Sequence, residues 1–333
     1  MKYTVKKLGA AMLAAAMCLS FAACSGGDDQ SGAGDADLPK IGILQYAVHS
    51  SLDNCYEGLI QGLEAAGYKD GETCTIEFKN AQGDVASASQ LAGNMAAGCD
   101  MIIGIATPAA TAAYSAADGR IPTIFCAVND PVSIKLVNSL EKSGNNCTGS
   151  SDRLNLDGQL KMIRAFQPDA KKIGVLYNTA EANSLSNLKT LEELAGQYGF
   201  EIVSKGVQNA GDIPIAAASL VNEVDCINNF TDNLVVDNLS VVLERANAAK
   251  IPVYGSEIEQ VAKGCLASES LDYVALGKAT GELAARVLGG EKAEDTAVLL
   301  IEDSFPVYNS EVAAQLGLSI PKDYQSAQDT AAE

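Results

Sequence analysis

The stretch KIGILQY, Lys40 to Tyr46, returns as KIGVLYN, Lys172 to Asn178, 132 residues later. Each copy leads into a segment of helical period closed by a glycine, and Gly67 and Gly199 are again 132 residues apart. Further on, DMIIGIATPAA corresponds to DCINNFTDNLV, and GRIPTIFCAVNDPV to AKIPVYGSEIEQV, with Pro122 and Pro252 separated by 130. A register that drifts so little describes two copies of one folding unit. A chain of 333 residues is long enough for two such units, each with its own core.

Within each copy short apolar runs alternate with longer helix-periodic segments, the pattern of βαβ units and a parallel sheet. The strands expected in the first copy are IGILQY, CTIEF, MIIGIA and TIFCAV, and in the second IGVLYN, EIVSKGV, DCINNF and PVYGS. Helices are expected over about 51–66, 84–97, 108–118, 182–198, 212–222 and 233–249. Gly67 and Gly199 fit helix ends that need positive φ, so the repeat alone fixes a shared fold and no function.

The sequence carries a net charge of −19. Residues 1–23 hold Lys2, Lys6 and Lys7 and no acid, so the remainder is more acidic still. Such a field repels phosphate backbones and excludes nucleic acid as a partner. The three lysines precede LGAAMLAAAMCLSFAA, an apolar run with the length of a signal-peptide core and too short to span a bilayer. Residues 1–23 are therefore expected to be a signal peptide of an exported protein. Cys24 follows the small residues Ala22 and Ala23, and 25–37 have the composition of a flexible tether.

Seven further cysteines, Cys55, Cys74, Cys99, Cys126, Cys147, Cys226 and Cys265, are odd in number and form no C-x-x-C. They suggest neither a disulfide framework nor a metal site, and read as small buried hydrophobes. Motifs for a P-loop, a nucleophile elbow, a zinc protease or a dinucleotide fold are absent, so no cofactor is expected. The single histidine, His49, has no triad partners nearby and reads as a ligand contact, not a catalyst.

In open parallel sheets ligands bind beyond the carboxyl ends of the strands. Two lobes facing each other then form a cleft lined by six loops: 45–54, 106–110, 128–132, 178–187, 230–235 and 254–259. Thr107 before Pro108 and Asp130 before Pro131 read as helix caps, whose amides suit a single anion. Ala109 completes the first of these turns. Asn183, Ser184, Thr231, Asp232, Asn233, Ser256 and Glu257 supply hydroxyls, amides and two acids from the second copy. No Lys or Arg lies in any of these loops, which argues against a phosphate. A zwitterion fits: its carboxylate on helix-end amides and hydroxyls, its ammonium on Asp232 or Glu257. Tyr46, Phe230, Tyr254 and Tyr273 are candidates to wall an apolar side chain.

Taken together, KIGILQY with its histidine, IATPAA, DPV, NNCTGSSD, KKIGVLYN with EANS, TDN, IPVYGSE and LDYVALGKATGELAARVL resemble the ABC-transporter substrate-binding lipoproteins, in the group that includes a tryptophan-binding protein. The resemblance runs from about Lys40 to Pro321. It implies an α/β type I periplasmic-binding fold, two similar lobes each with a parallel sheet flanked by helices, hinged around a central cleft. It implies a non-enzymatic monomer that closes on an amino acid, aromatic or otherwise apolar, and delivers it to an ABC permease and its ATPase. Cys24 would be the lipidated residue that anchors the protein on the extracytoplasmic face of the membrane. Thr107, Ser184, Thr231, Asp232 and Asn233 match the cleft motifs of the family. Val48 stands where members carry a polar residue, and Glu257 where many have aspartate, so the ligand can differ. A sensor feeding a membrane receptor, or a binder of a nucleoside or sugar, are the alternatives.

The expected domain map is lobe one at 38–150 plus 273–296, lobe two at 151–272 plus 297–321, and a frayed tail at 322–333.

Overall fold

A computed structural model of the chain describes residues 38–301 and 304–332. The segments expected as a signal peptide and a tether, and Cys24 between them, lie outside the described residues.

The first copy runs β1 (Lys40–Gln45), α1 (Ser50–Ala65), β2 (Thr75–Asn80), α2 (Val85–Gly98), β3 (Met101–Ile105), α3 (Thr107–Ala117), β4 (Thr123–Cys126) and β5 (Cys147–Ser151). Its strands are near-continuous apolar runs because a parallel sheet with helices on its faces buries both sides. All residues of β3 and β4 are buried accordingly. Asp84 ends the loop after β2 and starts α2 by accepting from the Ser87 amide at 2.7 Å, a cap that contributes about 1 kcal/mol.

The chain then crosses over and builds α4 (Leu156–Phe166), β6 (Lys172–Asn178), α5 (Ala182–Ala195), β7 (Glu201–Val207), α6 (Ile213–Leu220), β8 (Cys226–Asn228), α7 (Asn233–Asp237), α8 (Leu239–Ala249), β9 (Val253–Tyr254), α9 (Ile258–Ala262) and β10 (Ala267–Ser270). It returns as α10 (Tyr273–Leu288) and β11 (Leu299–Leu300), then ends in β12 (Phe305–Tyr308), α11 (Ser310–Leu316) and β13 (Gln328–Asp329).

The first sheet has the order β11-β5-β4-β3-β1-β2, and every pair in it is parallel. The second repeats the pattern as β7-β6-β8-β9. Hydrogen bonds from Leu266 N to Val253 O at 2.6 Å and from Gly255 N to Ala267 O at 3.0 Å continue it into β10, which pairs antiparallel with β12. Thus β1 and β6 hold equivalent places, as the repeated KIG motif requires.

Leu299 and Leu300 pair with Ser150 and Ser151, which places β11 in the first sheet. Two expectations are revised. The terminal segment is held in place: Val307 and Tyr308 pair with Gln328 and Asp329, and Thr330 N donates to Tyr308 O. The helix expected over 233–249 is two helices, broken at Asn238.

Lobe one is closed by an unusually near approach of α1 and α10. A Cβ on Gly58 would stand 2.0 Å from Val274 O, and one on Gly277 would stand 2.1 Å from Cys55 O. Only glycine lets the two backbones meet so closely. Since His49 caps α1 and Tyr273 begins α10, this contact fixes two walls of the site. All seven described cysteines are unpaired and buried, as their apolar surroundings suggested. Among the described residues, no helix is long and apolar enough to cross a membrane.

Candidate functional site

Between the lobes lies a small cavity lined by residues of both. Lobe one contributes His49, Ser51 and Leu52 from the start of α1, Ala106 and Thr107 from the β3–α3 junction, Ala127 and Asn129 beyond β4, and Tyr273. Lobe two contributes Asn183, Thr231, Asn233 and Glu257, and Asp152 lies where the chain first crosses. Nearly all stand at strand ends or first helical turns, the place where parallel sheets gather their loops.

The structure therefore brings together His49, Thr107, Asn183, Thr231, Asn233 and Glu257 from the expected set. Tyr46 is buried beside a second, outer pocket, with its hydroxyl donated to Gly83 O at 2.8 Å. Burial, together with nearby acids, pushes its pKa up to about 12. Thr107 is the first residue of α3 and not its cap, which is Ala106 at φ 76. Pro108 and Ala109 follow it in the helix without lining the cavity. No helix follows Asp130, so no helix-end anion site exists there; its carboxylate accepts from Ser133 N at 3.1 Å and from Ser186 Oγ of lobe two at 3.3 Å. Ser256 donates to Asn229 O at 2.8 Å behind the wall.

Asp232 is also structural. Fully buried, it accepts from Asn178 N at 2.6 Å, Ser184 Oγ at 2.6 Å and Val235 N at 3.0 Å, which uses Ser184 as well. Burial and the neighbouring Glu181 carboxylate push its pKa up to about 7. Phe230 and Tyr254 belong to the core of lobe two, and only Tyr273 among the aromatic candidates faces the cavity with Leu52, Ala106 and Ala127.

The sequence reading missed Asp152 and Asn129. Asp152 is 5 % exposed; Tyr273 donates its hydroxyl to one oxygen at 3.2 Å, and the other oxygen has no partner. Neither oxygen of Glu257, 1 % exposed, has a partner. Burial pushes Asp152 up to about 6 and Glu257 up to about 7; the nearby Ser51 and Gln260 side chains only partly offset the burial of Glu257. Asn129 Nδ2 and Asn183 Oδ1 also lack partners. Asp152 directly follows the β5 run CTGSS, a signal that a strand count extended by one would have found. Among the described residues no group of His, Cys, Asp and Glu could hold a metal.

Direct bonds join the lobes around the cavity. His49 Nε2 lies 3.2 Å from Asn233 Oδ1, and Glu259 accepts from Asn54 Nδ2 at 2.6 Å and Ser51 Oγ at 3.3 Å.

Residues 40–330 match the family described as ABC transporter substrate binding protein. A relative described as a tyrosine-binding protein of Clostridioides difficile is 40% identical over 280 residues, 84% of this chain and 81% of its own. Among solved structures, an ABC domain in complex with L-Trp from Streptococcus pneumonia superposes with a TM-score of 0.85 at 34% identity, covering 87% of this chain and 98% of that one. A ligand-free, open substrate-binding protein with adhesive properties from Clostridium difficile gives a TM-score of 0.68 at 38% identity, covering 88% and 98%.

Proposed function

This chain belongs to the ABC transporter substrate-binding protein family, with its type I periplasmic-binding fold, and from that premise we propose that it captures an aromatic amino acid between its lobes for import. One observation carries the ligand class: the cavity between the lobes holds the unpartnered carboxylate oxygens of Asp152 and Glu257, and no Lys or Arg lines it. A buried, unpaired acid is costly, and an ammonium group placed between these two offsets that cost. The Thr107 hydroxyl and amide and Asn129 Nδ2 are the donors available to the ligand carboxylate. Leu52, Ala106, Ala127 and Tyr273 provide the apolar contact for the side chain. Relatives described as tyrosine-binding and solved with L-Trp support the aromatic class.

The family's role as binding proteins sets it apart from enzymes. The ligand would act by touching both lobes at once and so favouring their closed arrangement. The lipid anchor at Cys24, the permease and ATPase as partners, and the monomeric state are parts of this proposal that rest on the sequence. A thermal-shift screen of the twenty amino acids with a nucleoside and sugar panel tests the ligand. At a hundredfold excess over Kd the right one adds about 2.7 kcal/mol of stability. A shift with sugars and none with any amino acid would overturn the assignment. Incorporation of labelled fatty acid, abolished by Cys24→Ala, tests the anchor.

A further inference from the structure

Glu181, the residue before α5, is 2 % exposed and receives five N–H donors. These are Asn178 Nδ2 at 3.2 Å, Asn183 Nδ2 at 3.3 Å, Leu234 N at 3.2 Å, Asn233 N at 3.1 Å and Asn233 Nδ2 at 2.6 Å. Carboxylate oxygens so surrounded can only accept, which fixes the amide of Asn233: its NH₂ faces Glu181 and its Oδ1 faces His49 at 3.2 Å. An amide oxygen cannot donate. The His49 nitrogen that meets it, Nε2, must therefore carry the proton.

The consequence appears at the other ring nitrogen. His49 is 8 % exposed, and burial holds its pKa below the ordinary histidine value, so the ring is neutral and Nδ1 is a bare lone pair. Nδ1 has no partner in the protein, and His49 lines the cavity. Had Asn233 been turned over, the same ring would present an N–H instead.

We propose that the chain Glu181–Asn233–His49, which spans the two lobes, locks His49 in the Nε2–H tautomer so that Nδ1 offers the ligand a hydrogen-bond acceptor. Glu181 is a positioning residue in this arrangement and His49 a specificity-determining one. The inference rests on the cavity being the ligand site, and deepens that reading: the ligand must present an N–H or O–H donor to Nδ1, and closure of the lobes and readout of that donor become one event. A buried acceptor left unpaired costs enough to discriminate against analogues without the donor.

His49 is the only histidine of the chain, so its ring nitrogens give unambiguous signals in a long-range ¹H–¹⁵N correlation spectrum. The protein without added amino acid should show the Nε2–H tautomer. Saturation with L-tryptophan or L-tyrosine should shift the Nδ1 resonance in the direction of an accepted hydrogen bond. In Glu181→Gln the spectrum should show mixed tautomers and the affinity should fall about tenfold. Should that variant not fold, Asn233→Ala breaks the same chain and leaves Glu181 its remaining donors. An Nδ1–H tautomer or an imidazolium in the wild type, or an unmixed Nε2–H signal in the variants, overturns the lock. An Nδ1 resonance that ignores a bound amino acid overturns the contact with ligand. If neither amino acid binds, the aromatic ligand class falls, while the tautomer still decides the lock by itself.

Discussion

Gly58 meets the carbonyl oxygen of Val274 so closely that a Cβ would stand 2.0 Å from it, which makes the α1–α10 contact a backbone-to-backbone one. Gly58→Ala forces the helices apart and should destabilise the protein by about 1–3 kcal/mol in chemical denaturation. Because His49 and Tyr273 stand at the starts of the two helices, ligand affinity should fall as well. Unchanged stability would show that the helices separate without cost.

Replacing the cavity acids separates ligand binding from folding. Asp152→Asn and Glu257→Gln remove a buried charge that the protein itself leaves largely unpartnered. Each should weaken amino-acid binding by roughly thirtyfold or more, about 2 kcal/mol, in isothermal titration calorimetry. The thermal midpoint without ligand should stay level or rise. A variant that binds as tightly as the wild type would remove that residue from the ammonium site.

The same acids set a pH dependence. Asp152, raised to about 6, and Asp232 and Glu257, each raised to about 7, hold protons in the folded protein that the unfolded chain has already released. Between about pH 4 and pH 7 the folded state binds more protons, so these groups lower stability as pH rises through that window. An ammonium ligand favours the charged forms of Asp152 and Glu257, and its affinity should move the opposite way. The ligand-induced rise in melting temperature should therefore be larger at pH 8 than at pH 5. A shift of equal size at both would contradict the pairing.

Glu259 reaches from lobe two to Ser51 and Asn54 of lobe one. Glu259→Ala removes this latch; Glu259 does not itself line the cavity, although its partner Ser51 does. Small-angle scattering of the variant without ligand should give a larger radius of gyration, and affinity should drop by less than about tenfold, the value of one or two hydrogen bonds. Identical scattering curves would mean that the latch does not hold the lobes.

The repeat made the architecture legible. Ile41 and Ile173 begin equivalent buried strands, and apolar runs of that length bounded by helix-periodic segments have few arrangements other than a parallel sheet. Asn183, in the first turn of α5, and Glu257, just before α9, line the cavity because strand ends are where such loops gather. The same rule over-reached where side chains turned inward. Asp232 and Ser184 spend their hydrogen bonds on one another and on nearby backbone, and Tyr254 packs within the lobe-two core, with its hydroxyl on Gln167 at 3.1 Å.

The sequence by itself determined two α/β lobes, an acidic chain, and a cleft without basic residues in its loops, because hydrophobic period and composition are local properties. Only the tertiary structure decided which acids face the cavity unpartnered and which are already satisfied. Asp152 and Asp232 are the same residue type, each just beyond the end of a parallel strand, yet one has an oxygen to spare and the other has none. That difference is set by donors distant in the chain, such as Asn178 and Tyr273, whose positions follow from packing and cannot be read from spacing.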